Sequence, residues 1–363
     1  MRIVIKVGTS TLTTKNDLLN KKYIFDLAEK LTEFQENGHE ILIVSSGAIA
    51  AGRSRLGINI IKSKTLRDKQ AYAAIGQPLI MSMYSDAFAK YNKIVAQILL
   101  TRDVFDKRND YINARNTLNT LLQNNIVPII NENDSISIDE INFGDNDTLA
   151  ALVAAAIDAD KLVIFTDVDG LYSGNPATSS IIPKIEKITK EIEDFASVIS
   201  SSGKGTGGMK TKIMAAKIAS ASGVDTIITN GLKLDLLKDI ALDCNVGTIF
   251  KAEKKYLEAK KSWIAFSKKP KGTIFVDAKA TEILLSKGKS LLAAGIVKIN
   301  CNFRRGDTVN IADAESKKDF ARGLTNYDSE ILLKIKGKKT SEMKKIINVI
   351  EDEVVHRDNL IIL

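Results

Sequence analysis

The sequence predicts an α/β fold over residues 1–250, a mainly parallel central sheet flanked by helices, with a small β-rich domain after it. Three observations lead there. Short β-branched runs recur with helix-length segments between them. The runs are apolar without in–out alternation, as strands buried on both faces of a sheet are. The chain then changes character across a lysine-rich stretch, 251–271, and continues in shorter runs broken by glycine-containing turns. At 363 residues it also exceeds the ~250–300 residues at which single cores stop growing.

The expected strands, in order, are Ile3–Val7, Glu40–Val44, Ile94–Leu99, Ile126–Ile130, Leu162–Phe165 and Thr226–Ile228. Between them, Asn20–Asn37, Thr65–Lys90, Asp110–Asn124, Asp145–Asp158 and Gly208–Ser222 are long enough to cross back over a sheet as helices. The fourth opens with Asp145, Asn146 and Asp147, side chains that suit a helix N-terminus. Two domains of unequal size are expected, 1–250 and 272–363, joined by a connector at 251–271. In the last, Thr273–Val276, Gly295–Asn300, Asp307–Ile311 and Glu330–Lys334 read as strands.

Composition narrows the chemistry. A hydrophobic fraction of 44% with 26% charged residues and five prolines excludes a largely disordered or collagen-like chain. No apolar run approaches the ~20 residues of a membrane span, Leu149–Ile157 being too short, and the first residues lack a secretory signal, so a cytoplasmic protein is expected. Cys244, Cys301, His39 and His356 are far apart in sequence, which argues against a disulfide framework and against a metal site. Chemistry must rest on Lys, Asp, Asn, Ser, Thr and backbone N–H groups. That favours stabilising an anion over metal-hydroxide or Ser-His-Asp hydrolysis.

Five segments could carry it. Lys6-Val7-Gly8-Thr9-Ser10 ends a buried-type strand in a cation, a glycine and two hydroxyls, where open α/β sheets bind ligands. A plain strand-to-loop turn with a snorkelling lysine explains it equally well. Ser45-Ser46-Gly47-Ala48 also follows a strand and opens a helix, whose free N–H groups favour an anion. Close helix packing accounts for Ala48, Ala51 and Gly52 without a ligand. Asn131-Glu132-Asn133-Asp134 and Gly144-Asp145-Asn146-Asp147 combine carboxylates and amides that could hold an amino acid's ammonium and carboxylate, with turn chemistry and capping as the alternative. Phe165 to Tyr172 reads either as the wall of a nucleotide pocket or as a solvated loop. Gly203 to Lys212 is a glycine loop opening a helix with lysines in its first turn, suited to a polyphosphate or else a linker. It is no dinucleotide fingerprint, because no strand precedes it, and no P-loop motif occurs.

Together and in this order, these segments resemble the amino acid kinase family, and within it the members that phosphorylate glutamate. The tail, Gly272-Thr273-Ile274-Phe275-Val276-Asp277 through Arg305-Gly306-Asp307, resembles a PUA domain, an appendage that relatives acting on acetylglutamate, carbamate or UMP do not typically carry. One departure is Asn175 before Pro176, where the family often has Asp.

The resemblance implies an amino acid kinase fold and transfer of phosphate from ATP, with Mg²⁺ carried on the nucleotide, to the γ-carboxylate of L-glutamate, the first step of proline synthesis. It implies Lys6 and Lys212 on the transferring group, with the backbone N–H groups of Gly8 and Gly47 and with Asp147 holding the lysines. Ser46, Asp134 and Asn146 would bind glutamate. Lys6, Thr166, Asp167, Thr206, Gly207, Gly208, Met209, Lys210, Thr211 and Lys212 would bind ATP. Proline is an expected feedback inhibitor, a homo-oligomer an expected state, and the next enzyme of proline synthesis a candidate partner. No membrane contact and no RNA binding by the C-terminal domain are expected.

The net charge of +8 is unevenly spread. Residues 1–250 hold 28 Lys and Arg against 29 Asp and Glu, the connector 8 against 2, and the tail 16 against 13. The α/β region must therefore handle anions with a few placed lysines rather than a general positive field.

Overall fold

The computed structural model describes the chain except for residues 15–17, 58–64, 107, 137–145, 176–177, 200–207, 243, 253–269, 344 and 348–350; for 106, 108–109, 196–199, 287 and 358 only the backbone is described. Two compact units result, Met1–Tyr256 and Leu257–Leu363. Most of the lysine-rich connector falls at 253–269, outside the described residues.

The first unit runs β1 (Arg2–Val7), α1 (Thr9–Leu12), α2 (Lys21–Glu36), β2 (Glu40–Val44), α3 (Ala48–Arg55), α4 (Leu66–Ala89), β3 (Val95–Leu100), α5 (Arg102–Asp106), α6 (Arg108–Gln123) and β4 (Val127–Glu132). It continues through α7 (Asn146–Ala156), β5 (Lys161–Thr166), β6 (Lys184–Ile185), α8 (Lys190–Ile199), α9 (Met209–Ala221), β7 (Asp225–Asn230), α10 (Leu236–Ala241) and β8 (Thr248–Phe250). These strands form one sheet in the order β3-β4-β2-β1-β5-β7-β8-β6. The six from β3 to β7 are parallel, and β8 turns antiparallel to β7.

The centre of the sheet is the most buried part. All six residues of β5 and the last five of β1 are buried, which is why their sequences show no alternation. Helix α2 lays Ile24, Leu27, Leu31 and Phe34 against this layer, and α4 contributes Ile80, Tyr84 and Phe88 to the same core. Asn20 starts α2 by accepting from the Tyr23 N–H at 3.2 Å, and Thr65 and Asp68 cap α4 reciprocally.

Two consequences position a site. Because β1, β2, β4, β5 and β7 are parallel, their carboxyl ends lie along one edge of the sheet. The chain leaves β1 toward β2, β4 and β3, then returns as β5 on the other side of β1, so the switch in strand order falls at β1. Helices α3 and α4 meet backbone to backbone at this end. A Cβ on Gly52 would lie 1.9 Å from the Tyr72 carbonyl oxygen, and one on Gly76 1.8 Å from that of Ala48.

The second unit contains β9 (Gly272–Val276), α11 (Ala278–Lys287), β10 (Ile296–Asn300), β11 (Thr308–Asp313), β12 (Asp319–Leu324), α12 (Ser329–Ile335), α13 (Thr340–Met343) and β13 (Leu360–Ile362). Its sheet has the order β10-β9-β11-β12-β13, antiparallel except for β9 against β11. Ile274, Val276, Val309, Ile311 and Leu332 lie in its own core.

One expectation is corrected here. Glu330–Lys334 is helix, not strand: Ser329, Leu332 and Ile335 are buried at three-residue spacing, which follows a helical period, and extended Asp328 sits at the N-cap. The sheet is completed instead by β12, whose Ala321 and Gly323 alternate into the core, and by β13. Among the described residues, no helix is long and apolar enough to cross a membrane.

Candidate active site

Lys6 is the penultimate residue of β1, paired in register with Val44 on one side and Ile164 on the other. Flanking strands on both sides leave the residue only 6% exposed, so its ammonium must find an anion inside the protein. It finds Asp147, the second residue of α7: Lys6 Nζ lies 2.6 Å from Asp147 Oδ1. Lys212, in the first turn of α9 and also 6% exposed, donates to Asp147 Oδ2 at 3.1 Å. The Thr211 hydroxyl lies 3.1 Å from the same oxygen and 2.7 Å from the Gly208 carbonyl.

Asp147 is fully buried. Burial pushes its carboxyl up, but the two neighbouring ammonium groups outweigh that and hold it below the usual carboxylate range. Asp147 is therefore held as a carboxylate, with Lys6 Nζ and Lys212 Nζ on its two oxygens.

A second group forms beside it, built on amides. Asn146 Nδ2 lies 2.6 Å from the Ser45 carbonyl oxygen, 2.9 Å from Ser46 Oγ and 2.9 Å from Asn131 Oδ1. Asn131 in turn donates to Gln77 Oε1 at 2.8 Å, and Ser45 Oγ lies 3.2 Å from the Tyr84 hydroxyl. Asn146 Oδ1 is buried and has no hydrogen-bond partner among the described residues. Next to Ser46, Gly47 adopts φ 94°, a left-handed turn that a side chain resists, and starts α3 without a side-chain cap.

Asp134 follows β4 in a turn, and burial raises its carboxyl to about 6. It makes no hydrogen bond to Ser46 or Asn146 among the described residues. Gly8 stands between β1 and α1, where a Cβ would be 3.6 Å from Lys6 Nζ. Thr166 ends β5 and donates to Asp167 Oδ1 at 3.0 Å; Thr166 is buried and Asp167 exposed. Gly208 precedes α9, Met209 is buried and Lys210 is exposed. Thr206 and Gly207, and with them Gly144 and Asp145 of the acidic motif, lie outside the described residues.

The fold thus brings Lys6, Asp147 and Lys212 into one cluster and Ser46 and Asn146 into another, both at the strand ends around β1. Gln77, Tyr84 and the amide of Asn131 are additional. A glutamine 8% exposed in mid-helix is the one signal for Gln77, and it appears only once the face of α4 is known. Asp169, which accepts from Asn230 at 3.0 Å and Lys233 at 2.7 Å, ties the loops after β5 and β7 together.

Residues 1–230 match the amino acid kinase family and residues 272–347 the PUA domain. The chain is 46% identical over 370 residues to glutamate 5-kinase of Thermoanaerobacter sp. (strain X514), covering 100% of this chain and 98% of that protein. It is 45% identical over 366 residues to glutamate 5-kinase of Caldanaerobacter subterraneus subsp. tengcongensis, again with 100% and 98% coverage. Against glutamate 5-kinase of Geobacter sulfurreducens the figures are 44% over 366 residues, with 100% and 97% coverage. The family match spans every element that supplies the lysine–aspartate cluster and the amide group, and with these full-length relatives it leaves one conclusion: the chain belongs to the amino acid kinase family.

Proposed function

We propose that this chain transfers the γ-phosphoryl group of ATP to the γ-carboxylate of L-glutamate, giving ADP and L-glutamyl 5-phosphate, and so begins proline synthesis. The observation that carries the chemistry is the pair of buried lysines on one carboxylate. The full-length likeness to glutamate 5-kinases supports the choice of acceptor.

The reaction brings two anions together. A carboxylate oxygen of glutamate attacks the γ-phosphorus, the bond to the bridging oxygen breaks, and its electron pair leaves on ADP. The attacking carboxylate is already ionised near pH 7, so no general base is required. What remains is alignment and neutralisation of charge on the transferring oxygens. Lys6 and Lys212 supply that charge from β1 and α9, while Asp147 keeps both ammonium groups in place. The backbone N–H groups at Gly8 and Gly47 add donors close to Lys6 and Ser46.

Ser46, Asn146 and Asp134 hold the amino acid: Asn146 Oδ1 is a free acceptor and Asp134 a carboxylate, both suited to an ammonium group. Thr166, Asp167 and the stretch 206–212 hold ATP. Mg²⁺ would be carried on the phosphate oxygens of the nucleotide. Bound there, the ion would offset phosphate charge. We also infer a catalytic domain at 1–250, a connector at 251–271 and a PUA-like domain at 272–363, a cytoplasmic setting, a homo-oligomeric state, and inhibition by proline through the groups that hold glutamate's ammonium and carboxylate.

ADP release with glutamate, aspartate, acetylglutamate, carbamate and UMP as acceptors tests the reading. Turnover is expected with glutamate and suppression by added proline; no activity with glutamate would overturn it.

A further inference from the structure

Helix α4 sends two polar groups toward the amide cluster from one face. Gln77 and Tyr84 stand two turns apart, and each bonds a residue that frames the substrate end: Gln77 to Asn131, Tyr84 to Ser45. The orientation of every amide in this cluster follows from two backbone groups. The Ser45 carbonyl can only accept, so Asn146 must present its nitrogen there and turn Oδ1 away. The Glu132 N–H can only donate, and it lies 2.9 Å from Asn131, so Asn131 must present its oxygen to both Glu132 and Asn146. Its nitrogen is then committed to Gln77, which must answer with Oε1.

We propose that Gln77 is a positioning residue for the amino-acid substrate: by holding Asn131, it fixes Asn146 so that the buried, unpartnered Asn146 Oδ1 faces the pocket as acceptor for the substrate's ammonium. The proposal rests on the reading above that Asn146 contacts glutamate. Gln77 Oε1 is the one acceptor for Asn131 Nδ2 among the described residues. Without it, a buried donor is left unsatisfied, and Asn131 gains by rotating toward another acceptor. Rotation withdraws Asn131 Oδ1 from Asn146, whose amide is then free to swing between Ser45 and Ser46. The loss is expected to fall on amino-acid binding, because Asn146, held by Asn131, bonds the Ser45 backbone and the Ser46 side chain.

Steady-state kinetics of the full chain provide the test. Gln77→Met keeps side-chain length and removes the acceptor; Gln77→Glu keeps an acceptor oxygen. The expected result is a KM for glutamate raised at least tenfold in Gln77→Met, a KM for ATP within twofold of the parent, and recovery of most of the loss in Gln77→Glu. Combining Gln77→Met with Asn146→Ala is expected to add little to Asn146→Ala alone, because both act through one amide. A Gln77→Met protein with a lowered melting temperature but an unchanged KM for glutamate gives Gln77 a packing role only and overturns the proposal. If Asn146→Ala itself leaves that KM unchanged, the underlying assignment of Asn146 is what fails. Should Gln77→Met not fold, Gln77→Ala removes the same acceptor and is judged by the same two KM values.

Discussion

Lys6 and Lys212 occupy opposite oxygens of one carboxylate, at 2.6 and 3.1 Å, although they come from the first strand and the ninth helix of the unit. Asp147 is thus a counter-charge shared by two ammonium groups whose residues are each 6% exposed. Breaking a buried pair of this kind costs about 3–5 kcal/mol, because the surviving charges stay buried without compensation. Asp147→Asn is expected to lower the melting temperature at pH 7 and to reduce kcat by at least a hundredfold. The pH dependence carries a sign: the folded carboxyl lies below its ordinary value of 3.8, so its stabilising effect is complete above that value and lost as pH falls through the folded one. Melting temperatures of parent and variant should therefore converge in acid, and a gap unchanged down to pH 2 would exclude the ion pair as its source.

If the two lysines act on the transferring phosphoryl group, removing either one costs turnover more than binding. Loss of one preorganised donor to developing charge typically lowers kcat by ~10²–10³. Lys6→Met and Lys212→Met are each expected to show that drop, with the KM for glutamate changed less than fivefold. Coupled ADP-release assays read both parameters. Near-parental turnover in either variant would remove that lysine from the chemistry.

What the sequence made legible follows from locality. β1, β2 and β5 stand out because burial on both faces leaves uninterrupted apolar runs, and Lys6 is conspicuous as the cation that interrupts the first of them. Asn146 and Asp147 are visible because they open a helix. Gln77 is not, since its partner Asn131 lies in the second strand after it and no spacing links them. Glu330–Lys334 misleads for a related reason: a short apolar run carries both periods, and only the burial of Leu332 and Ile335 together chooses the helix.

The crossing of α3 and α4 links packing to the site. A Cβ on Gly76 would meet the Ala48 carbonyl at 1.8 Å and the Gly52 nitrogen at 2.5 Å, both backbone atoms that no rotamer change can move. Gly76→Ala must therefore push α3 away from α4, and α3 begins at Gly47, beside Ser46. Overpacking of this sort typically costs ~1–3 kcal/mol. A lower melting temperature is expected together with a raised KM for glutamate. Gly174→Ala, where the nearest atoms are 3.7 Å away, should change neither. A destabilised Gly76→Ala protein with an unchanged KM would separate this crossing from substrate binding.

Asp134 offers the most direct link between a single ionisation and substrate affinity. Burial raises its carboxyl to about 6, so it is neutral in mild acid and ionised above neutrality. Only the ionised form attracts an ammonium group. The KM for glutamate is expected to be flat above pH 7 and to rise about tenfold per unit below pH 6, the slope of a single titrating site. Asp134→Asn should have a raised KM at pH 7.5 and lack that slope. Stability moves the other way: a carboxyl raised in the folded state costs nothing below its ordinary 3.8 and penalises folding as pH climbs through 6. Asp134→Asn is thus expected to melt higher than the parent at pH 8 and to match it near pH 4. Loss of glutamate affinity paired with a gain in stability is the signature of a charge held in an unfavourable place for its ligand, and a variant that loses both would make Asp134 a structural residue instead.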